Sequence, residues 1–191
     1  MKEMAEKIFN LLKDSEKVVF MGVGEEKLTD DGVGPYIISE LLEYASESIL
    51  FINAGVDPMA RINEIIEFKP THLVLIDTCT YNGPPGTVAL LEREHLAEYV
   101  PISSHTIPLH VVIDFLIEKL PESSLSVFMI GIVPESLEGF TELTQYKEGE
   151  LTLDELNENE NLPFFSIQLT NTIKKVADDL IATIREIIQR L

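Results

Sequence analysis

The sequence has a single cysteine, Cys79, and no tryptophan. A lone cysteine excludes an intramolecular disulfide and any metal cluster built on cysteine pairs, and it leaves no dithiol for redox chemistry. Basic residues are scarce: 14 Lys+Arg stand against 33 Asp+Glu, a formal net charge of −19. A surface of that sign repels the phosphates of nucleic acid and of anionic membranes, so neither is expected as a partner, whereas cations and basic peptide segments are tolerated. No apolar run reaches the roughly 18 residues of a membrane span. The start of the chain, MKEMAEKIFNLLKD, sets Met4, Ile8, Leu11 and Leu12 at helical spacing among charges. It lacks the continuous apolar core of a secretory signal, and the expected location is the cytoplasm.

What is present is enough for one full core. At 191 residues, with 45% hydrophobic content, the chain reads as a single domain, 1–191. Short β-branched runs alternate with helical stripes. Residues 18–21 (VVFM), 48–53 (SILFIN), 72–77 (HLVLID) and 126–133 (SVFMIGIV) read as strands, nearly continuous in apolar residues as parallel strands buried on both faces are. Between them lie a helical stripe after Pro35 (Ile37, Ile38, Leu41, Leu42, Ala45), a short helix over 59–68 and a helix over 109–120 that Ser104 or Thr106 caps. Residues 87–91 follow the third strand too closely for a crossover helix, so that strand runs antiparallel and the sheet is mixed. A long stripe from Leu169 to Leu191 closes the chain with a core-packing helix. The expected fold is a three-layer α/β domain, its sheet mainly parallel, with helices on both faces. Residues 141–163 stand apart: seven acidic side chains against Lys147. That composition predicts an acidic surface insertion, a mobile flap or partner contact.

The stretch KVVFMGVGEEKLTDDGVGP, residues 17–35, organises the rest. It places Asp30 and Asp31 where a strand's carboxyl end hands over to a helix, the edge at which open α/β sheets bind ligands. Asp30 is expected to cap the helix, since a carboxylate accepts a first-turn N–H and suits the positive helix end. Asp31, pointing elsewhere, is left to face the cleft. Asp77 ends the third strand and His105 lies in the loop before residue 109, so both belong to the same rim. Two carboxylates and an imidazole make a three-ligand set for nickel or zinc with positions open to water or substrate. Each also has a plainer role: Asp77 as the cap of the turn 78–81, His105 as a loop histidine on a backbone carbonyl. Two rival chemistries fit less well. Gly22-Val23-Gly24 begins a dinucleotide fingerprint, but Lys27 stands at its third glycine and Asn53 where an acidic residue should end the second strand. Ser103, Ser104 and Cys79 lack the G-x-S-x-G elbow, and Asp77 two residues from Cys79 opposes a thiolate.

Four motifs in order resemble the hydrogenase maturation endopeptidases: GVGEEKLTDDGVGP after the first strand, LVLID at 73–77, SHTIPL at 104–109 and GIVPE at 131–135. The resemblance runs from about residue 17 to 140, resumes in the last helix, and is strongest to the hydrogenase 3 (formate-hydrogenlyase) type. It implies a mixed five-stranded sheet, nickel recognition by Asp31, Asp77 and His105, and a single cut removing the C-terminal extension of a nickel-loaded [NiFe]-hydrogenase large-subunit precursor. The nickel would come with the substrate, another divalent metal replacing it in vitro, and the free protease would be a monomer. Asp31 and Asp77 would serve catalysis, one aspartate acting as general base if the metal only docks the precursor. Three departures stand out: Glu25 where the family usually has Asn, Val133 where it often has Gln, and the longer acidic stretch. Two other functions remain open at this stage, a non-catalytic maturation chaperone for the same precursor and an unrelated α/β metal-dependent hydrolase.

Overall fold

A computed structural model describes residues 2–96, 107–121, 124–138 and 169–191. His105 and the acidic stretch 141–163 lie outside the described residues. Eleven elements matter below: α1 (Lys2–Leu12), β1 (Val18–Val23), α2 (Val33–Ser39), β2 (Ile49–Gly55), α3 (Ile62–Phe68), β3 (His72–Thr78), β4 (Val88–Glu92), α4 (Arg93–Leu96), α5 (Leu109–Lys119), β5 (Ser126–Ile132) and α6 (Asn171–Arg190). The strands form one five-stranded sheet in the order β2-β1-β3-β5-β4. β1 runs parallel to β2 and β3, and β3 to β5, while β4 is antiparallel to β5 at the edge. The mixed, mainly parallel sheet matches the expectation. The antiparallel strand pairs not with β3, which it follows, but with β5, which enters between them.

Burial on both faces explains the unbroken apolar runs. Val18 and Phe20 of β1, Val74 and Ile76 of β3, and Phe128 and Ile130 of β5 point to one side, where α1, α2 and α6 cover them. Val19, Met21, Leu73, Leu75, Val127 and Met129 alternate to the other side and pack on α3 and α5. The period of two along each strand thus fills two cores with one sequence. Every residue of β1 is buried. The long C-terminal stripe is the core stripe of α6, with Ile173, Ala177, Leu180, Ile184 and Ile187 fully covered.

The start of α2 differs from expectation, while α5 begins at Leu109 as expected. α2 begins at Val33, so Pro35 sits inside its first turn, where the missing N–H has no intrahelical acceptor to lose. α5 begins behind Pro108, with no side-chain cap. The residues expected to cap it, Ser104 and Thr106, lie outside the described residues.

α2 descends directly onto the sheet. A Cβ on Gly34 would stand 2.3 Å from the carbonyl oxygen of Ile76 and 2.5 Å from that of Val23. Only a residue with no side chain lets the first turn of α2 rest on the carboxyl ends of β1 and β3 together.

Candidate functional site

The strand order creates a crevice at a definable place. From β1 the chain leaves through α2 to β2 on one side, then returns through α3 to β3 on the other. The carboxyl ends of β1 and β3 therefore flank the topological switch point, where loops diverge and a cleft opens. Asp31 follows β1 and Asp77 is the penultimate residue of β3. Both are buried, 1% and 0% exposed.

The loop after β1 is shaped to aim these carboxylates. Gly24 takes φ +134°, and a Cβ there would collide with the carbonyl of Asp31. The chain thus folds back on itself, and a 3₁₀ turn, Thr29–Gly32, presents the aspartates. One oxygen of Asp31, Oδ2, accepts the N–H of Glu25 at 2.7 Å, and the other, Oδ1, accepts the hydroxyl of Thr78 at 3.0 Å. Asp77 Oδ1 accepts the N–H of Thr78 at 2.7 Å and lies 3.4 Å from the same hydroxyl. One threonine is therefore common to both carboxylates. The expected convergence of Asp31 and Asp77 holds, and Asp77 also bonds the start of the turn it was expected to cap. Nothing in the local sequence marked Thr78, since a threonine after a strand-ending aspartate is unremarkable until the fold brings Asp31 beside it.

Asp30 corrects the reading made of it. Neither the 3₁₀ turn nor α2 has a side-chain cap. Asp30 Oδ2 instead accepts the N–H groups of Glu135 and Ser136, both at 2.9 Å, and the hydroxyl of Thr170 at 3.1 Å, while Oδ1 accepts the N–H of Thr170 at 2.8 Å. Thr170 in turn caps α6 through the N–H of Ile173. The neighbouring Thr29 hydroxyl donates to the carbonyl of Glu138. Asp30 is a buried knot joining the loop after β1, the segment after β5 and the start of α6. Four charge-assisted bonds are what allow a carboxylate to be fully buried there.

Glu25 does not add its carboxylate to the pair. Its Oε1 turns back to accept the N–H of Lys27 at 3.1 Å, and the residue serves Asp31 through its backbone. Cys79 is buried beside Gly131, and burial, with Asp77 close by, pushes its thiol up to about 11. A thiol so disfavoured as an anion is no nucleophile near neutral pH. His72 lies at the amino end of β3, away from the crevice, with Nδ1 3.0 Å from the Thr71 hydroxyl. Among the described residues no three His, Cys, Asp or Glu side chains form a metal-binding group. The described part of the site is the aspartate pair, its third expected member, His105, being outside it.

Comparisons with known proteins agree with this frame. The family model described as hydrogenase maturation protease matches residues 35–152. That span includes Asp77 and begins just after Asp31. A Methanocaldococcus jannaschii protein provisionally named a hydrogenase maturation protease is 29% identical over 143 residues, 71% of this chain and 82% of that one. The hydrogenase 3 maturation protease of Escherichia coli is 28% identical over 127 residues, 66% of this chain and 79% of that one. Among solved structures, the [NiFe] hydrogenase maturation protease HycI of Thermococcus kodakarensis superposes with a TM-score of 0.72 at 21% identity, over 96% of this chain and 99% of that one, and so shares the fold. With more than half its length matched by the family model, the chain belongs to the hydrogenase maturation protease family and is a peptidase.

Proposed function

We propose that this peptidase removes the C-terminal extension of a nickel-loaded [NiFe]-hydrogenase large-subunit precursor, and that Asp31, Asp77 and His105 recognise the nickel the precursor carries. The observation that carries the reading is the pairing of two buried carboxylates across the switch-point crevice, joined through Thr78. Their donor chemistry fits the ion: carboxylate oxygen and imidazole nitrogen both suit divalent nickel. A divalent ion held there would supply Lewis acidity toward the scissile carbonyl oxygen.

The chain's own groups account for the rest of the reaction. Peptide hydrolysis requires water oxygen to bond to the scissile carbonyl carbon, the C–N bond to break, and a proton to pass from that water to the leaving amine. Asp31 and Asp77 are the carboxylates at hand to take and return that proton. Both carboxylates are buried, so bulk water screens them little. The acidic surface repels nucleic acid, and among the described residues no helix is long and apolar enough to cross a membrane.

The test is the mass of the large subunit after incubation with this protein. The expected result is one cut, releasing the extension from nickel-loaded precursor and leaving nickel-free precursor intact. Equal cutting of both forms would remove nickel from the recognition, and a stable complex with no change in mass would make the protein a chaperone of the same partner.

A further inference from the structure

We propose that Thr78 is a positioning residue that fixes how Asp31 and Asp77 face each other; this rests on reading those two aspartates as the working pair. Thr78 is the last residue of β3 and is fully buried. Its hydroxyl carries one hydrogen and has two carboxylate oxygens in reach, Asp31 Oδ1 at 3.0 Å and Asp77 Oδ1 at 3.4 Å. Asp77 Oδ1 already accepts the N–H of Thr78 at 2.7 Å. The shorter contact therefore takes the hydroxyl hydrogen, and one residue grips both acids: Asp77 by its backbone, Asp31 by its side chain.

The consequence for Asp31 is geometric. Its Oδ2 is held from the loop after β1 by the N–H of Glu25 at 2.7 Å, and its Oδ1 from β3 by Thr78. The carboxylate is thus clamped between two strands' ends, and the Thr78 hydroxyl supplies a bond that spans the crevice. A β-branched side chain in a strand has little freedom about χ1, so the hydroxyl direction is set by the strand itself. Metal and proton-transfer sites tolerate misplacement of only a few tenths of an ångström, and bonds that orient such ligands typically change affinity or activity by about 10–100-fold.

Thr78→Val keeps the volume and removes the donor. Thr78→Ser keeps the donor and removes the methyl. Processing of nickel-loaded precursor is measured as kcat and KM, alongside binding of Ni²⁺ to the free protein by calorimetry, for wild type, Thr78→Val, Thr78→Ser and Asp31→Ala. The expected result is a kcat/KM about 10–100-fold lower in Thr78→Val, Ni²⁺ binding weakened in parallel, and both restored within about threefold in Thr78→Ser. Wild-type behaviour of Thr78→Val, or failure of Thr78→Ser to recover, overturns the proposal while Asp31→Ala remains inactive. Full activity of Asp31→Ala overturns the reading beneath it instead. Should Thr78→Val not fold, Thr78→Ala against Thr78→Ser isolates the hydroxyl, and equal kcat/KM in that pair is the contrary result.

Discussion

The two ends of the parallel sheet handle polar groups differently. At the amino end, the Thr71 hydroxyl donates to the carbonyl of Lys17 and accepts the N–H groups of Glu16 and Lys17, and the Lys17 ammonium donates to the carbonyl of Phe68. These groups stay partly exposed, and ordinary hydration meets whatever the protein does not. At the carboxyl end lie Asp30, Asp31, Asp77 and Thr78, four of the five buried polar or charged side chains among the described residues. Burying a carboxylate costs several kcal/mol unless donors replace the lost water. The carboxyl end itself divides again. Asp30 uses its bonds to tie together segments more than a hundred residues apart, while its neighbour Asp31 turns toward Asp77.

That contrast makes Asp30 the residue whose loss should unfold rather than inactivate. Asp30→Ala leaves the N–H groups of Glu135, Ser136 and Thr170 without their acceptor. We expect a loss of about 3–5 kcal/mol and a fall of roughly 10 °C in Tm, read by calorimetry. Asp31→Asn, one position along, should change stability by less than about 1 kcal/mol, because sites built for function are seldom built for stability. Equal destabilisation by the two would erase the distinction drawn between them.

Gly34→Ala comes next. Its Cβ would overlap the carbonyl oxygens of Ile76 and Val23, so α2 must lift from the carboxyl ends of β1 and β3. A cost of about 2–3 kcal/mol is expected in denaturant unfolding, together with a loss of processing, because the lifted helix follows directly on the turn that carries Asp31. Cys79→Ala should keep processing within about twofold and cost roughly 1 kcal/mol, since the thiol is a packing group. In the wild type, the stability owed to the protonated thiol is complete below pH 9 and lost as pH rises through about 11, because the folded state holds the proton more tightly than the unfolded chain does. Smallest is His72 at the opposite end. Burial lowers its pKa, so its contribution is present above the usual histidine range and lost as pH falls through the lowered value. His72→Gln should flatten that acid limb of the stability profile and leave processing untouched.

Much of this architecture was legible in the sequence because it follows from local period and length. The unbroken runs of β1, β3 and β5 announced strands buried on both faces, and the missing crossover before β4 announced an antiparallel edge. Placing Asp31 and Asp77 on one rim needed only that parallel strands share their carboxyl ends. Asp30 was misread because capping is a local rule, and its partners lie 105 to 140 residues away. No pattern near position 30 distinguishes a carboxylate that caps its own helix from one that ties down another. Glu25 shows the same limit: a place beside the cleft says nothing of rotamer, and its side chain accepts the N–H of Lys27. Thr78 became visible only when strand order set β1 beside β3.

The most direct test of the central claim is the rate at which nickel-loaded precursor is shortened by Asp31→Ala and by Asp77→Ala, each shown by calorimetry to be folded. Each is expected to lose at least about a hundredfold in rate, as removal of a group acting on the reacting centre does. Two folded variants that shorten the precursor as fast as the wild type would contradict it and place the chemistry of this peptidase elsewhere in the molecule.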